Sequence, residues 1–137
     1  MLALARSQPW APDAIVPIPL AKARLAERGF NQVELLARPL SLQLNLPLLS
    51  HGLQRRQETA PQMDLTVAQR WANVESAFVG HPQQLQGRST LLLDDIMTTG
   101  ATLDSAARAA RASGARQVYA LTLARTLLEE DLRFLVR

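Results

Sequence analysis

The sequence predicts an α/β domain with a mostly parallel, twisted sheet flanked by helices, and three observations predict it. Strand-like and helix-like apolar patterns alternate along the chain. One run, Ser89-Thr-Leu-Leu-Leu93, has the unbroken apolar character of a strand covered on both faces. A length of 137 residues, 47% hydrophobic and 20% charged, suits one packed domain spanning 1–137.

The elements follow in order. Met1 to Arg6 resembles the last turns of a helix, so residues 1–12 are expected to be the remnant of a preceding helical segment. An exposed apolar patch is expected at that end, and with it homodimerisation or poor solubility. Asp13 to Pro19 is a β-branched run ending in proline, a strand that passes into a loop. From Asn31 to Leu44, Val33, Leu35, Leu36, Leu40 and Leu44 recur at helical spacing, and Pro39 should kink or end that helix near Arg38. Leu46 to Leu49 reads as a second short strand. Residues 50–75 are polar, rich in Gln and Arg and poorly periodic, a candidate mobile lid loop. Ser76 to Val79 reads as a brief strand, Pro82 to Gly87 as a turn, and Ser89 to Leu93 as the buried strand. Ala101 to Ser113 is a helix of small residues closed by Gly114. Val118 to Leu123 is another buried strand, and Leu127 to Arg137 at most a short amphipathic helix.

Composition excludes several classes. There is no cysteine, hence no disulfide framework and no thiolate zinc site, and His51 and His81 stand apart from other metal-ligand types. No apolar run approaches the roughly 20 residues needed to cross a bilayer, and the amino terminus lacks the apolar core of a signal peptide, so a cytoplasmic protein is expected. The net charge is +3, and fourteen of the fifteen basic residues are Arg, Lys22 being the exception. These arginines run from Arg6 to Arg137 without gathering in one stretch, which does not favour direct nucleic-acid binding.

Chemistry concentrates in Leu91-Leu-Leu-Asp-Asp-Ile-Met-Thr-Thr-Gly-Ala-Thr-Leu103. A buried strand ends in Asp94 and Asp95, and ligands of open α/β sheets bind at the carboxyl ends of strands. Thr98, Thr99, Gly100, Ala101 and Thr102 then gather backbone N–H groups, hydroxyls and a helix amino terminus, the makings of a phosphate site. Adjacent acids alone also read as a helix cap, and Thr-Thr-Gly alone as an ordinary turn. In this order and spacing they describe a site for a ribose 5-phosphate, the carboxylates accepting from the diol and holding the water shell of Mg²⁺.

That segment resembles the 5-phosphoribosyl-1-pyrophosphate (PRPP) signature of type I phosphoribosyltransferases, a signature also found in regulators that bind PRPP without catalysis. Val16-Pro-Ile-Pro19, Arg28-Gly-Phe-Asn-Gln32, Leu36-Ala37, Arg55-Arg56, Gln62, Arg70, Asn73, Ala77-Phe78 and Leu123-Ala-Arg-Thr126 resemble the ComF family of competence-associated proteins. The resemblance covers roughly residues 13–126. It implies a type I phosphoribosyltransferase fold, with Pro19 to Phe30 as the loop that receives pyrophosphate. There Pro19, Arg24, Arg28 and Gly29 would act, Arg28 also on the departing charge. Arg55, Arg56, Gln62, Arg70 and Asn73 would belong to the lid, Asp94 and Asp95 to catalysis, and Mg²⁺ would be held through those carboxylates and the substrate, not by direct protein ligation. Full-length members carry an amino-terminal module with paired Cys-x-x-Cys motifs, which this sequence lacks, so a shortened member or an incomplete sequence is expected. Three functions are open: a transferase moving phosphoribosyl to a nitrogen acceptor, a non-catalytic PRPP or nucleotide sensor contacting competence or DNA-processing proteins, and, on arginine content rather than on the resemblance, a DNA-binding module.

Overall fold

The computed structural model describes residues 1–56 and 77–125. Among them lie α1 (Leu2–Ser7), β1 (Ala14–Pro17), α2 (Lys22–Arg28), α3 (Gln32–Leu44), β2 (Leu53–Arg55), β3 (Phe78–Gly80), α4 (Pro82–Leu85), β4 (Ser89–Met97), α5 (Ala101–Ala112) and β5 (Gln117–Arg125). Lid residues Gln62, Arg70 and Asn73 and the carboxyl-terminal segment from residue 127 lie outside the described residues.

β1, β4 and β5 form a parallel sheet with β4 in the centre. Leu91, Leu92 and Leu93 are fully buried because this strand is covered on both faces. Side chains alternate: Leu91 and Leu93 join Ile15, Val33, Ala37 and Leu40 on the α3 face. Leu92 joins Val16, Leu103, Ala106 and Ala110 on the α5 face, with Leu53 and Phe78 from a separate antiparallel β2–β3 pair. Burying each such leucine contributes about 1.5–3 kcal/mol.

Several elements differ from expectation. Pro39 does not end α3, which runs on to Leu44. Pro39 and Leu35 are both exposed, so water can satisfy the carbonyl that loses its helical donor. Leu46 to Leu49 makes one parallel bridge, Ile15 to Leu48, rather than a strand. Pro47 there has no N–H to extend a ladder and serves as acceptor for Ile15 N–H at 2.9 Å. The Pro82–Gly87 turn holds a four-residue helix started by its proline. Within residues 50–75, Leu53–Arg55 is a strand, ordered by pairing with β3. At the amino end, Met1, Leu2 and Ala5 pack against the α3-face core, which reduces the expected apolar patch to Leu4.

Candidate functional site

β1 stops at Pro17, and its last ladder bond is Ile18 N–H to Leu93 O at 2.9 Å. Pro19 has no N–H to offer, so the chain turns away just where β4 reaches Asp94. β4 continues to Met97 against β5 alone. The acid pair therefore stands at the carboxyl edge of the parallel sheet, beside the loop that leaves β1.

Asp94 is 8% exposed, on the same side of β4 as Leu92 and hence on the face covered by α5. Its carboxylate accepts Asp95 N–H at 2.9 Å, and the Asp95 carboxylate accepts Ile96 N–H at 2.7 Å. Burial pushes the Asp94 carboxyl up to about 6; the Asp95 N–H opposes this, the neighbouring Asp95 charge adds to it, and Arg55 opposes it. Arg55 lies on β2, with its guanidinium 5.5 Å over the Phe78 ring.

The turn Thr98–Gly100 carries the chain from β4 into α5 along that same face. Gly100 caps the helix at φ 83°, in the left-handed region that favours glycine. The nearest atom to an added Cβ is Met97 Sδ at 3.7 Å, so the requirement is conformational rather than steric. Ala101 N–H meets Thr99 Oγ1 only at 3.4 Å, and the first-turn bond that closes is Asp104 N–H to Gly100 O at 2.9 Å. The N–H groups of Thr102 and Leu103, and the hydroxyls of Thr98 and Thr102, have no partner among the described residues. The edge thus offers orphan donors to an anion beside two carboxylates that can accept hydroxyls.

The expected pyrophosphate loop is largely a helix. Only Leu20 and Ala21 separate Pro19 from α2, because Lys-Ala-Arg-Leu-Ala-Glu-Arg is a run of strong helix formers ended by Gly29 at φ 77°. Arg24 is exposed on α2, and Arg28 donates to Gln32 Oε1 at 2.6 Å. Asn31 ties this segment to β1 by donating to Ile18 O at 3.0 Å. Arg55 is brought close to Asp94, whereas Arg56 is exposed at the end of the hairpin.

A cleft of about 700 Å³ opens between α2, α3 and the β2–β3 pair, lined in part by Pro19, Gly29 and Arg55 but not by Asp94, Asp95 or the Thr98–Thr102 turn. His51 and His81 line it as well. The two are isolated in the sequence, and the antiparallel pairing draws their segments together, with His81 N–H donating to Gly52 O at 3.0 Å. No helix among the described residues is long and apolar enough to cross a membrane.

No protein-family model matches the chain. It is 39% identical over 116 residues to the DNA utilization protein YhgH of Escherichia coli K12, covering 85% of this chain and 51% of that protein. Competence protein F of Haemophilus influenzae is 34% identical over 116 residues, 83% of this chain and 51% of the relative. Competence protein ComFC of Bacillus subtilis is 38% identical over 113 residues, 82% of this chain and 44% of the relative. The chain thus spans about half the length of the relatives it matches. Among solved structures, the glutamine PRPP amidotransferase of B. subtilis, complexed with ADP and GMP, superposes with a TM-score of 0.61 at 16% identity, over 89% of this chain and 24% of that one. The adenine phosphoribosyltransferase of Leishmania tarentolae gives a TM-score of 0.54 at 15% identity, over 95% of this chain and 70% of that one. Over most of its length the chain is a homologue of the competence protein F, ComFC and YhgH proteins, built on the type I phosphoribosyltransferase fold.

Proposed function

We propose that this chain binds PRPP with Mg²⁺ at the carboxyl edge of β4 and transfers its phosphoribosyl group to a nitrogen acceptor, releasing pyrophosphate, in the cytoplasm and in a process tied to DNA uptake. The observation that carries this is the meeting, on one face of the sheet, of buried Asp94 and the unpartnered N–H groups that open α5. The 5-phosphate would sit on the N–H groups and hydroxyls of Thr98 to Thr102, and the ribose diol would donate to Asp94 and Asp95. The names of the relatives, competence and DNA utilization proteins, support the link to DNA uptake.

The donor set suits Mg²⁺ carried by substrate. Among the described residues no three His, Asp or Glu side chains converge on a point, so the chain offers two adjacent carboxylates rather than a cage. Mg²⁺ keeps several waters and accepts such sites when substrate phosphates complete its shell. When bound, the ion would supply neutralisation of charge on the departing pyrophosphate. The chain's own part is to fix the ribose so that the C1–O bond to pyrophosphate breaks as C1–N forms, through an oxocarbenium-like transition state. Arg28 would meet the pyrophosphate after exchanging its bond to Gln32.

That bond at 2.6 Å favours a second reading, PRPP sensing without turnover, because it occupies the arginine that would receive the leaving group. A calorimetric titration with PRPP tests the common ground: binding that requires Mg²⁺ is expected, and no heat with or without the ion would overturn both readings. Release of pyrophosphate with a nitrogen acceptor separates transferase from sensor.

A further inference from the structure

We propose that the outer edge of β5 is the docking surface for a second copy of this chain, which pairs its own β5 there, antiparallel, across a two-fold axis. Such pairing needs no PRPP and leaves both readings of the site open. The two edges of the sheet are finished differently. Beyond β1, the Leu46–Leu49 segment closes the edge with one bridge, and Pro47 has no N–H to extend it. On the other side β5 is outermost. It pairs with β4 alone, and from Gln117 to Ala124 its outer side meets no strand among the described residues.

An edge of this kind presents N–H and C=O groups in a row, and natural edges are blunted by proline, lysine or a bulge. The nine residues Gln-Val-Tyr-Ala-Leu-Thr-Leu-Ala-Arg hold no proline, glycine or lysine, and the one charge, Arg125, stands at the end. β1 is buried along its whole length, whereas Ala120, Leu123 and Ala124 of β5 are exposed, Leu123 by 58%. A long, open, apolar edge is a template for another strand. The strand's own pattern selects the occupant. A two-fold axis at Leu121 is the one that pairs all nine residues, and it keeps like faces together because alternate side chains share a face. On the α3 face, Leu121 meets the partner's Leu121, and Tyr119 meets the partner's Leu123. On the α5 face, Val118 meets the partner's Ala124, and Ala120 meets the partner's Thr122. Gln117 faces the partner's Arg125, so like charges are never opposed. Trp10 stacks on Tyr119 with ring centroids 5.5 Å apart, which gives the partner's Leu123 a fixed apolar surface to cover. Each contact is made twice, and the assembly closes at two copies with their carboxyl edges pointing in opposite directions.

The test is sedimentation equilibrium of the full chain from about 1 to 100 μM, where a reversible monomer–dimer equilibrium is expected. Leu123→Lys, and separately Ala120→Lys, should weaken the dimer at least about tenfold, since each substitution enters the interface twice. Leu42→Lys, at a side chain 82% exposed but placed on α3, should leave it unchanged. Circular dichroism checks that the variants fold. The chain has no cysteine, so an oxidised mixture of Ala120→Cys and Thr122→Cys chains reports the register: the mixed disulfide should form in preference to either homodimer. A monomer throughout the range, growth beyond two copies, a dimer that Leu42→Lys weakens as much as the β5 variants do, or no preference for the mixed disulfide overturns the pairing.

Discussion

The two ends of β4 treat their polar groups in opposite ways. At the amino end the polar groups are largely matched, although Asp13 Oδ1 is buried without a hydrogen bond. Asp13 N–H donates to Ser89 O at 2.8 Å, the Asp13 carboxylate accepts Ser89 N–H at 3.0 Å, and Arg88 and Arg116 each approach that carboxylate at 3.9 Å. Arg116 also donates to the Ser89 hydroxyl at 2.9 Å, and its N–H meets Arg88 O at 2.7 Å. Three strand starts are thereby locked together. At the carboxyl end, two carboxylates stand side by side with no ion pair among the described residues, and donors at the start of α5 have no acceptor. One strand thus carries a closed electrostatic lock at one tip and an unsatisfied cup at the other. Groups left costly in the folded chain are those a ligand can satisfy.

Substitutions can break this contrast, and the largest effect belongs to the cup. Asp94→Asn with Asp95→Asn should weaken Mg²⁺–PRPP binding by roughly a hundredfold or more in calorimetry, without loss of fold by circular dichroism. Acidity sharpens the contrast next. The Asp94 carboxyl titrates near 6 in the folded chain against 3.8 ordinarily. A raised value means that its contribution to stability is fully present below about pH 4 and is lost as pH rises through 6. Urea unfolding should therefore show stability falling by on the order of 2 kcal/mol between pH 4 and pH 8, a dependence that Asp94→Asn flattens. At the lock, Asp13→Ala should lower stability by about 2 kcal/mol by stranding the buried Ser89 N–H, and leave PRPP affinity unchanged. Smallest is Gly100→Ala, which should cost about 1 kcal/mol at φ 83° and loosen the phosphate end of the cup, measurable as a modest rise in the PRPP dissociation constant.

What could be seen in the sequence was local. Leu91 to Leu93 is legible as a buried strand because an uninterrupted apolar run has few other homes, and the Thr-Thr-Gly turn is legible because Gly100 marks a backbone change. The lock was invisible: Asp13 and Ser89 are 76 residues apart, and nothing in either neighbourhood announces the other. β2 was invisible for a related reason, since Leu-Gln-Arg has strand geometry only through its partner Phe78–Gly80. α2 was hidden by the family resemblance, which implied a loop where the residues themselves are helix formers. Pro39 misled because a proline's damage depends on whether its helix face meets water, which periodicity alone does not weigh against exposure. The candidate acids were legible as residue types at a strand end, but the burial that makes Asp94 costly depends on α5 and β2 packing over it.

The most direct measurement follows backbone amide resonances of the chain as PRPP is added with Mg²⁺. The Thr102 and Leu103 amides should move first and furthest, while those of Ser89 and Arg116, at the locked tip, stay in place. Saturable PRPP binding that leaves Thr102 and Leu103 unmoved, or that moves the locked tip instead, would contradict the proposed site.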